Sequence, residues 1–271
     1  MGKYNLHTHT YRCNHAEGDI PDLIKAAGEN GYTTLGFSEH SALNDGVWPN
    51  TRMKPDEFSG YFSKINEYRL IESEKPGGIK IYSGLECEAP EKYFNFYKEL
   101  KDKYKIDYLL AGVHFFYYKN EIITAFSDRY ENQQKIKTYA DHMIKCMESG
   151  LFLYIVHPDM FMLSKERWDH FTEDVMKNVM RASKEYKIPL ELNLNGYRKG
   201  LMRKGLNLRY PYPFEEFWAL AASENVEAVT GIDAHNPRNF APKYPEFDRL
   251  CEKYSLNILS EKEIAERVEK S

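Results

Sequence analysis

The sequence predicts an α/β protein whose parallel strands close, or nearly close, into a (β/α) barrel. Short apolar runs rich in β-branched and aromatic residues alternate with longer amphipathic ones along the chain. That is the pattern of strand–helix–strand units joined by right-handed crossovers. Seven such units can be counted. The length of 271 residues, 42% of them hydrophobic, suits one large core spanning a single domain, 1–271. A doubly wound open sheet would satisfy the same alternation and is the alternative.

Taken in order, residues 4–9 form a short alternating run, the first strand. The helical pattern of 20–30 stops before Gly31, a residue suited to the left-handed turn after a helix. The second strand, 33–39, leads into a long loop, 43–52. Pro55-Asp56-Glu57 opens the helix of 56–74 with a proline and an acidic first turn. Strand 79–88, helix 91–104, strand 108–114 and helix 131–149 repeat the unit, the last helix ending before Gly150. Strand 152–157, helix 165–187 and strand 190–194 follow. A second long loop, 201–212, precedes helix 213–225 and strand 228–233. Both long loops follow strand ends, where they would cover a barrel mouth.

Composition narrows the function. The net charge is −4 and no Lys/Arg run stands out, so no nucleic-acid partner is expected. No apolar stretch approaches the ~20 residues of a membrane span, and no signal peptide is evident at the start. The four cysteines, Cys13, Cys87, Cys146 and Cys251, are scattered without a CxxC pair. Reduced thiols in a cytoplasmic protein are expected. Oligomeric state is not legible.

In (β/α) barrels the active site lies at the carboxyl ends of the strands. The first strand ends in His7 and His9, which at i and i+2 project to one face. The second ends in His40, the third in Glu86, the fourth in His114, the fifth in His157, and the last in Asp233-Ala-His235. His15 follows in the loop after the first. One histidine at a strand end is commonly a hydrogen-bonded structural residue. Here seven of nine histidines lie at strand ends or just beyond, and only His142 and His170 fall in helices. Histidine and carboxylate ligands without thiolates suit Zn, Mn or Fe. The set exceeds one ion and fits two or three divalent transition metals, with an acidic residue such as Glu86 as the bridge. A closed structural zinc would draw on cysteines close together in sequence.

With these residues in view, the chain resembles the PHP (polymerase and histidinol phosphatase) family. The resemblance runs through His7-Thr-His9, His15, Ser38-Glu39-His40, Glu86, Gly112-Val-His114, His157-Pro158 and Asp233-Ala-His235. Gly36-Phe-Ser-Glu-His-Ser41 and Gly231-Ile-Asp-Ala-His-Asn-Pro237 make it most similar to the stand-alone histidinol phosphatases of that family. The resemblance implies a distorted, TIM-like (β/α)7 barrel with a trinuclear centre. His7, His9, Glu86 and Asp233 would hold the first metal, Glu86, His114 and His157 the second, and His15, His40 and His235 the third. Asn5 stands where relatives often carry an Asp.

The reaction so implied is hydrolysis of a phosphate monoester, L-histidinol phosphate, in histidine biosynthesis. A water bridging two ions would lose its proton near neutral pH and attack phosphorus. Glu86, Asp233 and His235 are the catalytic candidates, and the leaving alkoxide would take its proton from a His or Asp near the mouth or from a metal-bound water. Phosphate calls for arginine, and Arg198 is the first candidate, Arg12 the second, with Arg52 and Arg203 behind them. Glu39, Asp45 and Glu88 are candidates for the amine of the substrate, Glu39 competing with a role behind a ligand histidine. Trp48 is placed to close over the substrate. Cys87 reads as core, and Met160, Phe161, Met162 and Trp168 as core or pocket wall. The alternative is a PHP phosphoesterase acting on nucleotides, oligonucleotides or phosphotyrosine.

Overall fold

The computed structural model describes residues 3–119, 121–126, 133–241 and 243–271. Its main sheet uses β1 (Lys3–Asn5), β2 (Tyr32–His40), β3 (Lys80–Glu88), β4 (Tyr108–Gly112), β7 (Tyr154–Ile155), β8 (Leu190–Asn193), β11 (Glu227–Gly231) and β12 (Asn257–Ile258), side by side in that order. Every pairing is parallel. Two antiparallel hairpins stand apart from it: β5 (Phe115–Tyr118) with β6 (Glu121–Thr124), and β9 (Met202–Lys204) with β10 (Asn207–Arg209). The helices are α1 (Ile20–Glu29), α2 (Phe58–Ser73), α3 (Phe94–Tyr104), α4 (Gln133–Glu148), α5 (His170–Tyr186), the single turn α6 (Asn195–Arg198), α7 (Glu215–Ser223), α8 (Pro245–Tyr254) and α9 (Glu261–Val268). Among the described residues, no helix is long and apolar enough to cross a membrane.

Sequential parallel order bears out the barrel reading over the doubly wound sheet, whose order reverses at a switch point. The sheet curls until its first and last major strands meet. Thr8 bridges Ala234 in parallel. The His9 amide donates to the Ala234 carbonyl at 2.8 Å, and the Ala234 amide to the His7 carbonyl at 3.0 Å. Lower down, Asn5 splices the seam. Its Oδ1 accepts from Ile232 N at 2.9 Å, and its Nδ2 donates to the His7 carbonyl and to Thr8 Oγ1. An aspartate there would lose the donor half of this contact. At the amino-terminal end the Tyr4 hydroxyl reaches the Leu259 carbonyl, beside the short β12.

The apolar core has two parts. The larger lies between sheet and helices. It receives the Ile20, Leu23, Ile24 and Ala27 face of α1, a 3–4 residue spacing fixed by the helical period. The smaller fills the barrel interior with Leu6, Tyr108, Leu110, Tyr154, Val156 and Val229, and is plugged by Ile264 and Val268 of α9. That helix is capped by Ser260 and Glu263 in a reciprocal box.

The expected elements are present with shifted bounds. The first strand is shorter than 4–9 and the fifth shorter than 152–157, because their ends leave the ladder to form the site. The helix expected from 165 begins at His170, where Asp169 caps the Thr172 amide. The start expected at 131 for the fourth helix lies outside the described residues. The loop expected at 201–212 contains the β9–β10 hairpin. The other hairpin and the β12–α9 closure are additions that the sequence pattern did not signal.

Candidate metal centre

Strand ends and the loops just beyond them deliver the seven histidines, Glu86 and Asp233 to one place. Glu86, at 1% exposure, sits in the middle and divides its two oxygens. Oε2 lies 3.3 Å from His7 Nε2, 3.3 Å from His9 Nε2 and 3.0 Å from His40 Nδ1. Oε1 lies 3.0 Å from His157 Nε2 and 3.4 Å from His114 Nε2. Asp233 Oδ1 lies 3.5 Å from His7 Nε2 and 3.3 Å from His9 Nε2. At the rim the His235 and His15 Nε2 atoms are 3.0 Å apart, and His235 Nδ1 is 3.2 Å from Asp233 Oδ1. His40 stands between the two groups, its ring 4.3 Å from that of His9 and 5.3 Å from that of His15.

Whether these atoms suit a cation can be decided from their own chemistry. His7 Nε2, His9 Nε2, Glu86 Oε2 and Asp233 Oδ1 are all buried without a hydrogen-bond partner. Orphaned buried polar atoms are costly and rare. Here four converge with separations of 3.3–3.5 Å. Tetrahedral ligands about 2.0–2.1 Å from an ion are spaced about 3.4 Å apart, so the cage has the size of a zinc-like site. His7, Glu86 and His157 form a second possible grouping, and His9, His40 and His235 a third.

The imidazoles are oriented from behind. Glu191 Oε1 takes His7 Nδ1 at 2.8 Å, Glu39 Oε1 takes His9 Nδ1 at 3.3 Å, and Glu88 Oε1 takes His114 Nδ1 at 2.9 Å. A carboxylate accepting from Nδ1–H leaves the Nε2 lone pair facing inward, as a metal-ligating histidine requires. These carboxylates are themselves held. Thr10 donates to Glu39 through its amide and hydroxyl, and Asn193 and the His157 amide donate to Glu191. Gly231 makes the Glu191 position possible, since a Cβ there would lie 1.8 Å from Glu191 Oε1.

Electrostatics follow from this packing. Burial opposes ionisation of Glu86, yet the His40, His7 and His114 imidazoles hold its carboxyl well below the usual range. Burial likewise opposes Asp233, and His7 and His235 hold it well below. Burial lowers His9, but Asp233 and Glu39 outweigh it and raise the ring to about 9. Two of the site residues carry backbone strain. His157 has φ 33° and Asp233 φ 47°, left-handed values that cost about 1–3 kcal/mol each and persist where the surroundings demand them.

The site floors a cavity of about 430 Å³. His15, His40, Glu86, His114, His157, Asp233 and His235 line it together with Trp48, Phe126, Met160, Tyr212, Asn195, Arg52 and Lys199. Trp48 packs with its ring edge-on to Phe115. Arg12 and Arg198 do not line the cavity. Arg12 is buried against Asp19 and Thr10, and Arg198 Nη2 donates to the Asp233 carbonyl at 2.8 Å. The lining cations are instead Lys199, next in sequence to Arg198, and Arg52. Of the carboxylates considered for an amine, Glu39 and Glu88 are spent on histidines, and Asp45 binds Lys92 and the Tyr93 hydroxyl. Cys87 is core, as expected, and all four cysteines are free thiols.

Glu191 is the main residue that sequence reasoning passed over. Its signal was present: β8 reads Leu-Glu-Leu-Asn, two polar residues at i and i+2 in a strand buried on both faces.

Comparison with known proteins agrees with this geometry. Residues 5–195 match the PHP domain family model. A Schizosaccharomyces pombe protein named probable histidinol-phosphatase is 25% identical over 267 residues, covering 88% of this chain and 82% of its own. A Deinococcus radiodurans protein of the same name is 25% identical over 244 residues, 87% of each chain. Among solved structures, histidinol phosphate phosphatase from Lactococcus lactis subsp. lactis, complexed with zinc, L-histidinol and phosphate, superposes with TM-score 0.70 at 15% identity, covering 95% of both chains. With its curled parallel sheet, its strand-end histidines and a family match over most of its length, the chain belongs to the PHP domain family.

Proposed function

We propose that the protein hydrolyses a phosphate monoester, with L-histidinol phosphate as substrate, and does so with two or three divalent transition metals. The observation that carries this reading is the cluster of unpartnered donor atoms at tetrahedral spacing on the floor of a cavity large enough for a small phosphate ester. The names of the S. pombe and D. radiodurans relatives support the substrate, as do the zinc, histidinol and phosphate of the lactococcal structure.

His7, His9, Glu86 and Asp233 would hold the first ion, Glu86, His114 and His157 the second, and His15, His40 and His235 the third. Zinc, manganese and iron all suit these donors. When bound, the ions supply an activated water and neutralise charge building on phosphate oxygens. The chain does the rest. Glu86 offers one oxygen to each of the first two sites. Glu39, Glu88 and Glu191 keep three imidazoles in the tautomer that leaves Nε2 free. His235, at the mouth, keeps Nδ1 3.1 Å from the Asp233 carbonyl oxygen, which leaves Nε2 for the third ion. Lys199 is the cation we assign to the phosphate, with Arg198 bracing the Asp233 backbone beside it. Trp48, Phe126 and Tyr212 give a planar organic group apolar surfaces to lie against.

The deciding experiment compares kcat/KM for histidinol phosphate with a panel of phosphomonoesters, a nucleotide, phosphotyrosine and a phosphodiester. A preference for histidinol phosphate of at least about a hundredfold is expected. Equal or better turnover of another member would reassign the substrate within the family.

A further inference from the structure

The three carboxylates behind the histidines are not supported alike. Glu39 is held by Thr10 and the His40 amide, and Glu191 by Asn193 and the His157 amide, all neutral donors. Glu88 is held by a cation. Arg52 Nη2 pairs with the same Glu88 Oε1 that accepts from His114 Nδ1. Both partners are nearly inaccessible, at 4% and 1% side-chain exposure. Glu88 Oε2 meanwhile accepts from the His114 amide at 3.3 Å, so one carboxylate grips both the ring and the backbone of His114. Arg52 is fixed in turn: Nη1 reaches the Ser41 carbonyl at 3.5 Å, and the guanidinium lies 6.0 Å from both the Trp48 and Phe115 ring centres.

We infer that Arg52 is a positioning residue for the second ion site, acting through Glu88 on His114. The inference rests on the metal reading above. Glu88, gripping the ring and the backbone of His114, holds His114 Nε2 toward Glu86 Oε1. Without Arg52 the buried carboxylate loses its cationic partner and keeps only its His114 contacts, so it is free to turn, and that releases the ring. Groups behind a metal ligand typically govern affinity by about 10–100-fold. The effect is confined to one ion, because Glu39 and Glu191 do not touch Arg52. The same guanidinium packs beside Trp48, whose backbone has φ 51°, so the loop that carries the cavity wall and the second ion site share one anchor.

The test is a competition titration of zinc into metal-free protein with a chromophoric chelator, which reads each equivalent without turnover. Arg52→Met is expected to weaken one equivalent by about 10–100-fold and to leave the others unmoved. Arg52→Lys keeps the charge but not the fork of donors and is expected to weaken the same equivalent severalfold. It decides the matter should the methionine variant fail to fold. In a Glu88→Gln background, Arg52→Met should add nothing. Unchanged affinity for every equivalent in a folded Arg52 variant, or a full additional loss in the Glu88→Gln background, would overturn the inference. Wild-type protein that takes up one equivalent or none overturns the multinuclear reading as well, a result visible before any variant is made.

Discussion

Glu191 offers the sharpest check on how the centre is built. Its side chain is fully buried and accepts three hydrogen bonds: His7 Nδ1 at 2.8 Å, Asn193 Nδ2 at 2.8 Å and His157 N at 3.1 Å. Glu191→Gln preserves shape and removes one acceptor. If the amide oxygen stays with His7, the new NH₂ faces two donors and both bonds are lost. If it turns toward them, the NH₂ faces His7 Nδ1, and the ring must move its proton to Nε2, closing the lone pair aimed at the cage. A charge-assisted hydrogen bond is worth about 1.5–3 kcal/mol. At about 1.4 kcal/mol per tenfold, that is a loss of about 10–150-fold in affinity for the first ion, in line with the usual effect of groups behind a ligand. Zinc titration of the metal-free variant reads this directly, and kcat for histidinol phosphate should fall with occupancy at low zinc. Gly231→Ala supplies the control. Its methyl would collide with Glu191 Oε1 at 1.8 Å and should reproduce the same defect without touching a charged residue. A folded Glu191→Gln protein with wild-type zinc affinity would refute the reasoning.

Three further outcomes are expected. Metal analysis of purified protein should return two to three transition-metal equivalents, and Glu86→Ala should reduce that number and cost at least about 10²–10³-fold in kcat with an unchanged far-ultraviolet dichroism spectrum; near-normal activity would remove Glu86 as the shared ligand. Zinc binding to metal-free protein at pH 7.5 should release protons, because Asp233 and Glu39, against burial, raise His9 to about 9 and the ion must displace that proton; calorimetry in buffers of different ionisation enthalpy measures it, and zero release is the contrary result. Asp169→Ala, which removes the cap of α5, should lower unfolding stability by about 1 kcal/mol at neutral pH. Burial works against Asp169, but Lys165 and Thr172 hold it down at about 2. A depressed carboxylate stabilises the fold above its unfolded value of about 4 and loses that contribution as pH falls toward 2. The gap between variant and parent should therefore close over that range in chemical denaturation.

The succession of strands and helices and the residues at the strand ends were written in the sequence. Period-two and period-3.6 patterns report which face of an element is buried, and that information is local. Histidines at one strand end after another needed only the rule that barrel sites gather there. What the pattern lacked was anything depending on contacts between distant segments. Arg198 and Lys199 are neighbours in the chain, but the turn of α6 sends one to the Asp233 carbonyl and leaves the other on the cavity wall. Arg12 ranks ahead of Arg52 as a loop cation in the sequence, yet Asp19 pairs with the one and Glu88 with the other.

The sequence by itself therefore determined the alternation of seven principal strands with helices and the nine side chains at or just beyond the strand ends, because hydrophobic period and strand-end position are properties of short segments. Tertiary structure alone decided how the ring closes, through Asn5, Thr8 and Ala234, and which carboxylate stands behind which histidine. Those pairings join residues as far apart as His7 and Glu191. Only the folded chain brings such groups within hydrogen-bonding distance, and a hydrogen bond has no reach beyond it.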